Sequence, residues 1–174
     1  MSEAIVRPAV EADLPRINEI YNHYVVHTPI TFDIDPITME QRLDWFRRYS
    51  DHGRHRLFVA EEDGAVLGYA DSHQFRMKRA YDTTVETTVY CAEDATNRGV
   101  GGLLYDALFD ALREANLRLA IAAITLPNDA SVALHERFGF ALVGVMHEVG
   151  RKFDRYWDVA WYEMRFDRGD APRA

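Results

Sequence analysis

The sequence predicts a mixed α/β (α+β) chain, with one mostly antiparallel central sheet flanked by helices on both faces. Three observations carry that prediction. Two strand-like runs, Arg56 to Glu62 and Ala65 to Ser72, are separated by Asp63 and Gly64, a dipeptide suited to a type I′ hairpin turn. A third run, Thr84 to Cys91, leads through a polar stretch and Gly99, Gly101 and Gly102 into a helical pattern, giving a strand, glycine loop, helix unit. Hairpins and helical crossovers alternate along the rest of the chain, an order that places helices on both sides of a mixed sheet.

Ala4 to Pro8 reads as a short strand. A helix follows from about Glu11 to His27, where Leu14, Ile17, Ile20, Tyr21 and Tyr24 recur at helical spacing and Asp13, Leu14 and Pro15 form its start. Thr28 to Pro36 has no clear period and reads as a loop, a natural wall for a substrate. A second helix starts at Thr38, whose hydroxyl can cap it, with Glu40 and Gln41 in the first turn and Leu43, Phe46 and Tyr49 facing inward. The helix after the glycines carries Val100, Leu104, Leu108 and Leu112 on one face. Leu117 to Leu126 is the next strand, Asn128 or Asp129 caps a helix ending near Gly139, and Ala141 to His147 and Tyr156 to Arg165 are the last strands. Neither a repeat nor a linker interrupts this order, so 1–166 reads as a single domain and 167–174 as a polar C-terminal tail.

Composition narrows the classes of function. With 174 residues the chain can bury a core without disulfides or a structural metal, and its 48% hydrophobic and 28% charged residues exclude disordered and collagen-like classes. The opening MSEAIVRPAVEADLP has acids where a secretion signal needs a basic stretch followed by an apolar one. No apolar run approaches the roughly 20 residues that span a membrane, so a cytoplasmic location is expected. The single cysteine, Cys91, excludes an intrachain disulfide and a cysteine-rich metal site, and reads as a small buried hydrophobe; no metal is expected. A net charge of -8 argues against nonspecific binding to nucleic acid. The basic clusters at Arg76 to Arg79 and Arg151 to Lys152 fit either a solvated surface or an anionic ligand.

Asn97 to Leu104, NRGVGGLL, is the first segment with chemistry in it. Glycine lets the main chain approach an anion, the first amides of a helix lack internal acceptors, and the helix dipole adds partial positive charge, so a diphosphate fits. A tight turn into a helix needs glycines without any ligand as well. Glu86 is the second feature. It stands in an otherwise apolar and hydroxyl-bearing strand, where an unpaired carboxylate is costly and its pKa rises, unless it faces solvent from an edge.

TVETTVY, the glycine loop, LPNDASVALHE and VGRKFDRYWDV together resemble the GCN5-related N-acetyltransferases over nearly the whole chain, and within them the phosphinothricin and methionine sulfoximine N-acetyltransferase branch. The resemblance implies the fold of that family and an enzyme that moves acetyl from acetyl-CoA to the amine of methionine sulfoximine, methionine sulfone or phosphinothricin. It implies that the loop backbone at Arg98, Gly99, Gly101 and Gly102 cradles the pyrophosphate of coenzyme A. Thr96 stands where the family usually has Gln or Arg, and Arg98 is the residue able to supply the missing contact. The strand Thr87 to Cys91, including Val89 and Tyr90, is expected to splay from its neighbour and offer its main chain to the pantetheine arm, with Asn128 and Ser131 beside it. Glu86 becomes the base for the incoming ammonium. His135 takes the place of the family's acidic tyrosine, as acid or second base, with Tyr90 as the alternative acid. Arg76 would pair with a substrate carboxylate, Phe75, Phe32 and Tyr24 would line the pocket, and Lys152 with Phe153 would close it from a loop. Branch members are commonly homodimers, and the C-terminal strand with Trp157 and Trp161 would suit a shared interface. Two rivals stand beside this reading: an acetyltransferase for another amine, such as another amino acid, a polyamine or a protein N-terminus, and a non-catalytic acyl-CoA sensor.

Overall fold

The computed structural model describes residues 4–166, so the expected polar tail lies outside the described residues. The strands are β1 (Ile5–Pro8), β2 (Arg56–Glu62), β3 (Ala65–Gln74), β4 (Thr84–Cys91), β5 (Leu119–Leu126), β6 (Ala141–Lys152) and β7 (Arg155–Arg165). They form one seven-stranded sheet in the order β1-β2-β3-β4-β5-β7-β6. Every neighbouring pair is antiparallel except β4 and β5. The helices are α1 (Leu14–His27), α2 (Met39–Phe46), α3 (Val100–Arg113) and α4 (Asp129–Arg137).

Helix α3 packs on one face of the sheet, burying Val100, Leu104, Leu108 and Leu112 against β2 and β3. Helices α1 and α2 cover the other face, where Trp45 meets the buried ring of Tyr69 edge-on at 6.0 Å. Helix α1 starts where Asp13 accepts hydrogen bonds from the Val10 amide at 2.8 Å and from the Arg7 guanidinium at 2.8 and 2.9 Å. Burial works against the Asp13 charge, but Arg7 and the Val10 amide together hold this carboxyl below the ordinary aspartate range. Arg7 also pairs with Glu61 at 2.6 Å, so one guanidinium joins β1, β2 and the head of α1. Thr38 caps α2 as its sequence predicts, in a reciprocal box: its hydroxyl accepts from the Gln41 amide, and the Gln41 side chain accepts from the Thr38 amide.

Asp63 and Gly64 make the β2–β3 turn with φ of 51° and 80°, the left-handed pair that a type I′ turn requires. The predicted strands hold, with extensions at two ends. Strand β3 continues to Gln74, and β6 continues five residues past His147. The period of β6 is broken in sequence because its pairing with β7 shifts between Met146 and Gly150, with Glu148 at φ 53° and its amide bonded to Asp158 at 2.8 Å. Pairing resumes at Gly150, so Lys152 ends a strand where a loop was expected, and Phe153 with Asp154 forms the tight turn.

Candidate active site

Strands β4 and β5 pair only at Thr84, Val85 and Glu86, while β5 stays paired with β7 as far as Leu126. The two parallel strands therefore diverge after Glu86. From Thr87 to Cys91, β4 keeps β3 on one side and has no strand ladder on the other. A gap of about 50 Å³ opens there, walled by Thr87 to Tyr90, by Ala123 to Thr125, and by Asn128, Ser131 and His135. Main-chain donors and acceptors facing such a gap can take an extended, amide-bearing ligand as an added strand. This is the splay expected of Thr87 to Cys91.

At the N-terminus of α3, Gly99 takes φ 80°, a left-handed conformation that places it just ahead of the first free helical amides. Gly102 packs under Arg137, whose Nη1 would lie 3.5 Å from a Cβ built there. Arg98 does not stand free at this loop; its guanidinium pairs with Glu62 at 2.6 Å. Arg137, unnoticed in sequence, is the cation that lies over the helix start, and only its position one helix away could have singled it out.

The second cavity lies under α1 and α2 and holds about 920 Å³. Tyr21, Arg42, Trp45, Asp71, His73 and Glu86 are among its walls. Thr88 and Tyr90 belong to both cavities, so the gap and the cleft meet along one face of β4. Glu86 lines the cleft two residues before Thr88 on the same strand, and burial raises its carboxyl above the ordinary glutamate range despite His73 and Arg76, which pull it down. Tyr90 is stacked on Tyr69 at 5.5 Å and meets Tyr21 and Tyr24 edge-on, and burial pushes its phenol well above the ordinary tyrosine range.

Of the remaining predicted residues, His135, Asn128 and Ser131 wall the gap, whereas Arg76, Phe75, Tyr24, Phe32 and Lys152 line neither cavity. His135 is buried with both ring nitrogens engaged: Nδ1 donates to the Ser131 carbonyl at 2.7 Å, which leaves Nε2 to accept from the Tyr105 hydroxyl at 2.9 Å. Burial lowers its pKa, with the bond to Ser131 opposing, so the neutral imidazole is favoured. Asn128 accepts from the Ser131 amide and caps α4, and both residues also face the gap. Arg76 is exposed, lying 4.3 Å over the ring of Phe75 and donating to that residue's carbonyl. Phe75 packs on Tyr81 and Trp161, outside the cleft wall. The Tyr24 hydroxyl donates to the Cys91 carbonyl at 2.7 Å, tying α1 to the end of β4. Lys152 is buried, donating to the Thr31 carbonyl at 2.8 Å, and burial lowers its pKa. Phe32 presses on Gly150 so closely that a Cβ there would lie 2.1 Å from its ring. Phe32 and Lys152 therefore anchor the loop at 28–36 to β6, and they hold a wall without lining the cleft.

Three cleft residues carry no motif and went unseen in sequence. Arg42 is 3% exposed, lies 4.8 Å from the Tyr21 ring and 4.5 Å from the Trp45 ring, and donates through Nε to Asn18. Its Nη2 is buried with no partner, and among the described residues no carboxylate lies within ion-pair distance of it. Asp71 and His73 are the other two, hydrogen-bonded to each other at 2.7 Å. Burial pushes the Cys91 thiol up to about 11, so it is no nucleophile at neutral pH. No group of residues able to hold a metal ion exists among the described residues, and no helix described is long and apolar enough to cross a membrane.

Comparison with known proteins identifies relatives over nearly the whole chain. A family model for an acetyltransferase (GNAT) domain matches residues 6–161. The chain is 55% identical over 164 residues to a phosphinothricin N-acetyltransferase of Streptomyces coelicolor, covering 93% of this chain and 96% of that one. It is 36% identical over 164 residues to the L-methionine sulfoximine/L-methionine sulfone acetyltransferase of Pseudomonas aeruginosa, covering 94% and 95%. Among solved structures, a GNAT superfamily phosphinothricin acetyltransferase from Sinorhizobium meliloti in complex with acetyl-CoA superposes with a TM-score of 0.89 at 33% identity, covering 93% of this chain and 88% of that one.

Proposed function

The chain belongs to the GNAT acetyltransferase family, and from that premise we propose that it is a single-domain enzyme whose acceptor is methionine sulfoximine, methionine sulfone or phosphinothricin. It transfers acetyl from acetyl-CoA to the amine of an amino-acid-like substrate. The observation that carries the finer reading is the junction at Thr88 and Tyr90, where a narrow gap suited to an extended arm opens into a wide cleft holding the Glu86 carboxylate and the Arg42 cation.

Acetyl-CoA supplies a thioester, and the chain's own residues surround it. The main chain of Thr87 to Cys91 holds the pantetheine arm, with Asn128 and Ser131 at its side, and the amides following Gly99 with Arg137 receive the pyrophosphate. Glu86, kept basic by burial, takes a proton from the substrate ammonium directly or through a water, so that the amine attacks the thioester without a covalent enzyme intermediate. A thiolate whose conjugate acid has a pKa of about 8.5 leaves without much help, and His135 then acts by packing and by fixing Tyr105. The substrate carboxylate is assigned to Arg42, because a buried guanidinium without a counter-ion is costly until an anion pairs with it. Exposed Arg76, folded over Phe75, is left without a direct part in binding and acts on Glu86 only by its charge.

Self-association through β6 belongs to the same reading. Leu142, Val143, Met146 and Val149 are half or more exposed along this edge strand, more apolar surface than an edge strand leaves to solvent when it functions alone.

The deciding experiment follows thiol release from acetyl-CoA with methionine sulfoximine, methionine sulfone, phosphinothricin, ordinary amino acids, polyamines and an amine matching methionine sulfone without its carboxylate. Strong turnover confined to the first three, and lost with the carboxylate, is expected. Equal turnover of the carboxylate-free amine would remove Arg42 from recognition, and preference for polyamines would replace the acceptor class.

A further inference from the structure

Strands β3 and β4 pair with His73 opposite Glu86 and Asp71 opposite Thr88. All four side chains line the cleft. Asp71 is 2% exposed, and both its oxygens are occupied: Oδ1 accepts from the Tyr49 hydroxyl at 3.0 Å and bonds His73 Nδ1 at 2.7 Å, while Oδ2 accepts from the Thr88 hydroxyl at 2.5 Å. Three donors converging on one carboxylate leave it acceptor-only, so Nδ1 of His73 carries the hydrogen it gives to Asp71. The tautomer is thereby fixed. Nε2, the nitrogen left with a lone pair, faces Glu86 Oε2 at 3.9 Å. Carboxylate, imidazole and carboxylate thus stand in line from the buried floor of the cleft to the proposed base.

We propose that His73 is the proton exit of this cleft, taking from Glu86 the proton that Glu86 removes from the substrate ammonium and releasing it to solvent. The proposal rests on Glu86 being the base. In the first step the ammonium becomes a free amine and the Glu86 carboxylate becomes a carboxylic acid. In the second, the acid proton crosses the 3.9 Å to His73 Nε2 through one bridging water, which takes it from Glu86 and gives one of its own to the imidazole, restoring the carboxylate and leaving an imidazolium beside Asp71. In the third, the imidazolium gives its Nε2 proton to water, because the His73 side chain is 36% exposed whereas that of Glu86 is 22% exposed. No other bond forms or breaks. The charges facing His73 are balanced for proton transfer. Burial disfavours its charged form, but the Asp71 hydrogen bond and the charges of Asp71 and Glu86 outweigh it, with Arg48 opposing from the end of α2. His55, on the β2 side, keeps its lowered pKa and adds no charge. The Tyr49 phenol stays protonated, since burial raises its pKa well above the ordinary tyrosine range. His73 acts through Glu86, as a positioning residue for its proton.

The test compares His73→Ala, His73→Gln and Glu86→Gln with the unaltered enzyme, measuring kcat and kcat/KM against pH at saturating acetyl-CoA, with and without added imidazole. Glutamine can keep the hydrogen bond to Asp71 but cannot carry a proton, so it holds the local structure while removing the relay. Both His73 variants are expected to lose up to about a hundredfold in kcat, the low end for a positioned proton-transfer group, to keep the KM for acetyl-CoA and to shift the pH profile, with imidazole restoring part of the rate to His73→Ala. A His73→Gln enzyme with the original kcat and pH profile overturns the relay, as does a loss in His73→Ala that imidazole leaves untouched. If Glu86→Gln is inactive while the His73 variants are unaffected, the relay alone fails; if Glu86→Gln is fully active, the base fails and the relay with it.

Discussion

Glu86, as the proposed base, is a residue whose cost to the fold would be matched by a use in the chemistry. Its folded pKa is raised, so the ionised form is better tolerated in the unfolded chain. The stability it lends is present at acid pH, below its unfolded pKa, and is lost as pH rises through its folded value. At neutral pH Glu86→Gln is therefore expected to melt no lower than the parent while losing about a hundredfold in kcat, the ordinary weight of a general base. The acid limb of the rate profile, where Glu86 becomes protonated, should vanish with it. A variant that melts lower and keeps its rate would make Glu86 structural. This residue was legible in sequence because a charge in an apolar strand violates its surroundings. Arg42 and His73 violate nothing local, whereas Asp71 is a charge in the strand AVLGYADSHQ and gives the same kind of signal as Glu86; only the packing of α2 on β3 and β4 makes neighbours of the three.

Elements were easier to read than sites. Hairpin, caps and strands follow from chemistry within a few residues, as at Thr38 with Gln41 and at Asp63 with Gly64. Strand β6 escaped in part because its irregular pairing is fixed by Asp158, far along the chain. The same distance effect misplaced Lys152 and Phe32, which look like pocket residues and instead pin the loop at 28–36 to β6. Gly150 is the contact through which that loop can be perturbed. Gly150→Ala must displace the Phe32 ring, and overpacking of this kind costs about 1–3 kcal/mol. The expected signature is a several-fold higher KM for the amine with the KM for acetyl-CoA unchanged; equal changes in both would mean that the loop serves the donor as well. Thermal melting of the same variant measures the packing cost separately.

At the scale of the molecule, the fold class and the run of elements were recoverable from the sequence, whereas the strand order, with β7 between β5 and β6, and all of the cleft beyond Glu86 and Tyr90 were not, since the cleft is assembled from α1, α2, β3 and β4 at once. The exposed apolar edge of β6 gives a whole-molecule prediction: sedimentation at micromolar concentration should find a dimer, and Val143→Asp with Val149→Asp should find a monomer that still folds. A parent that sediments as a monomer would leave β6 without that role. The divergence of β4 from β5 reaches furthest. If the donor is held there by peptide groups, as proposed, mutation has almost nothing to erase, because every residue except proline brings the same amide and carbonyl to the gap. The acceptor is held by side chains, each replaceable by a single codon change. Descendants of such an enzyme can trade one amine for another while their acetyl supply stays fixed, so inheritance is conservative on one side of β4 and experimental on the other.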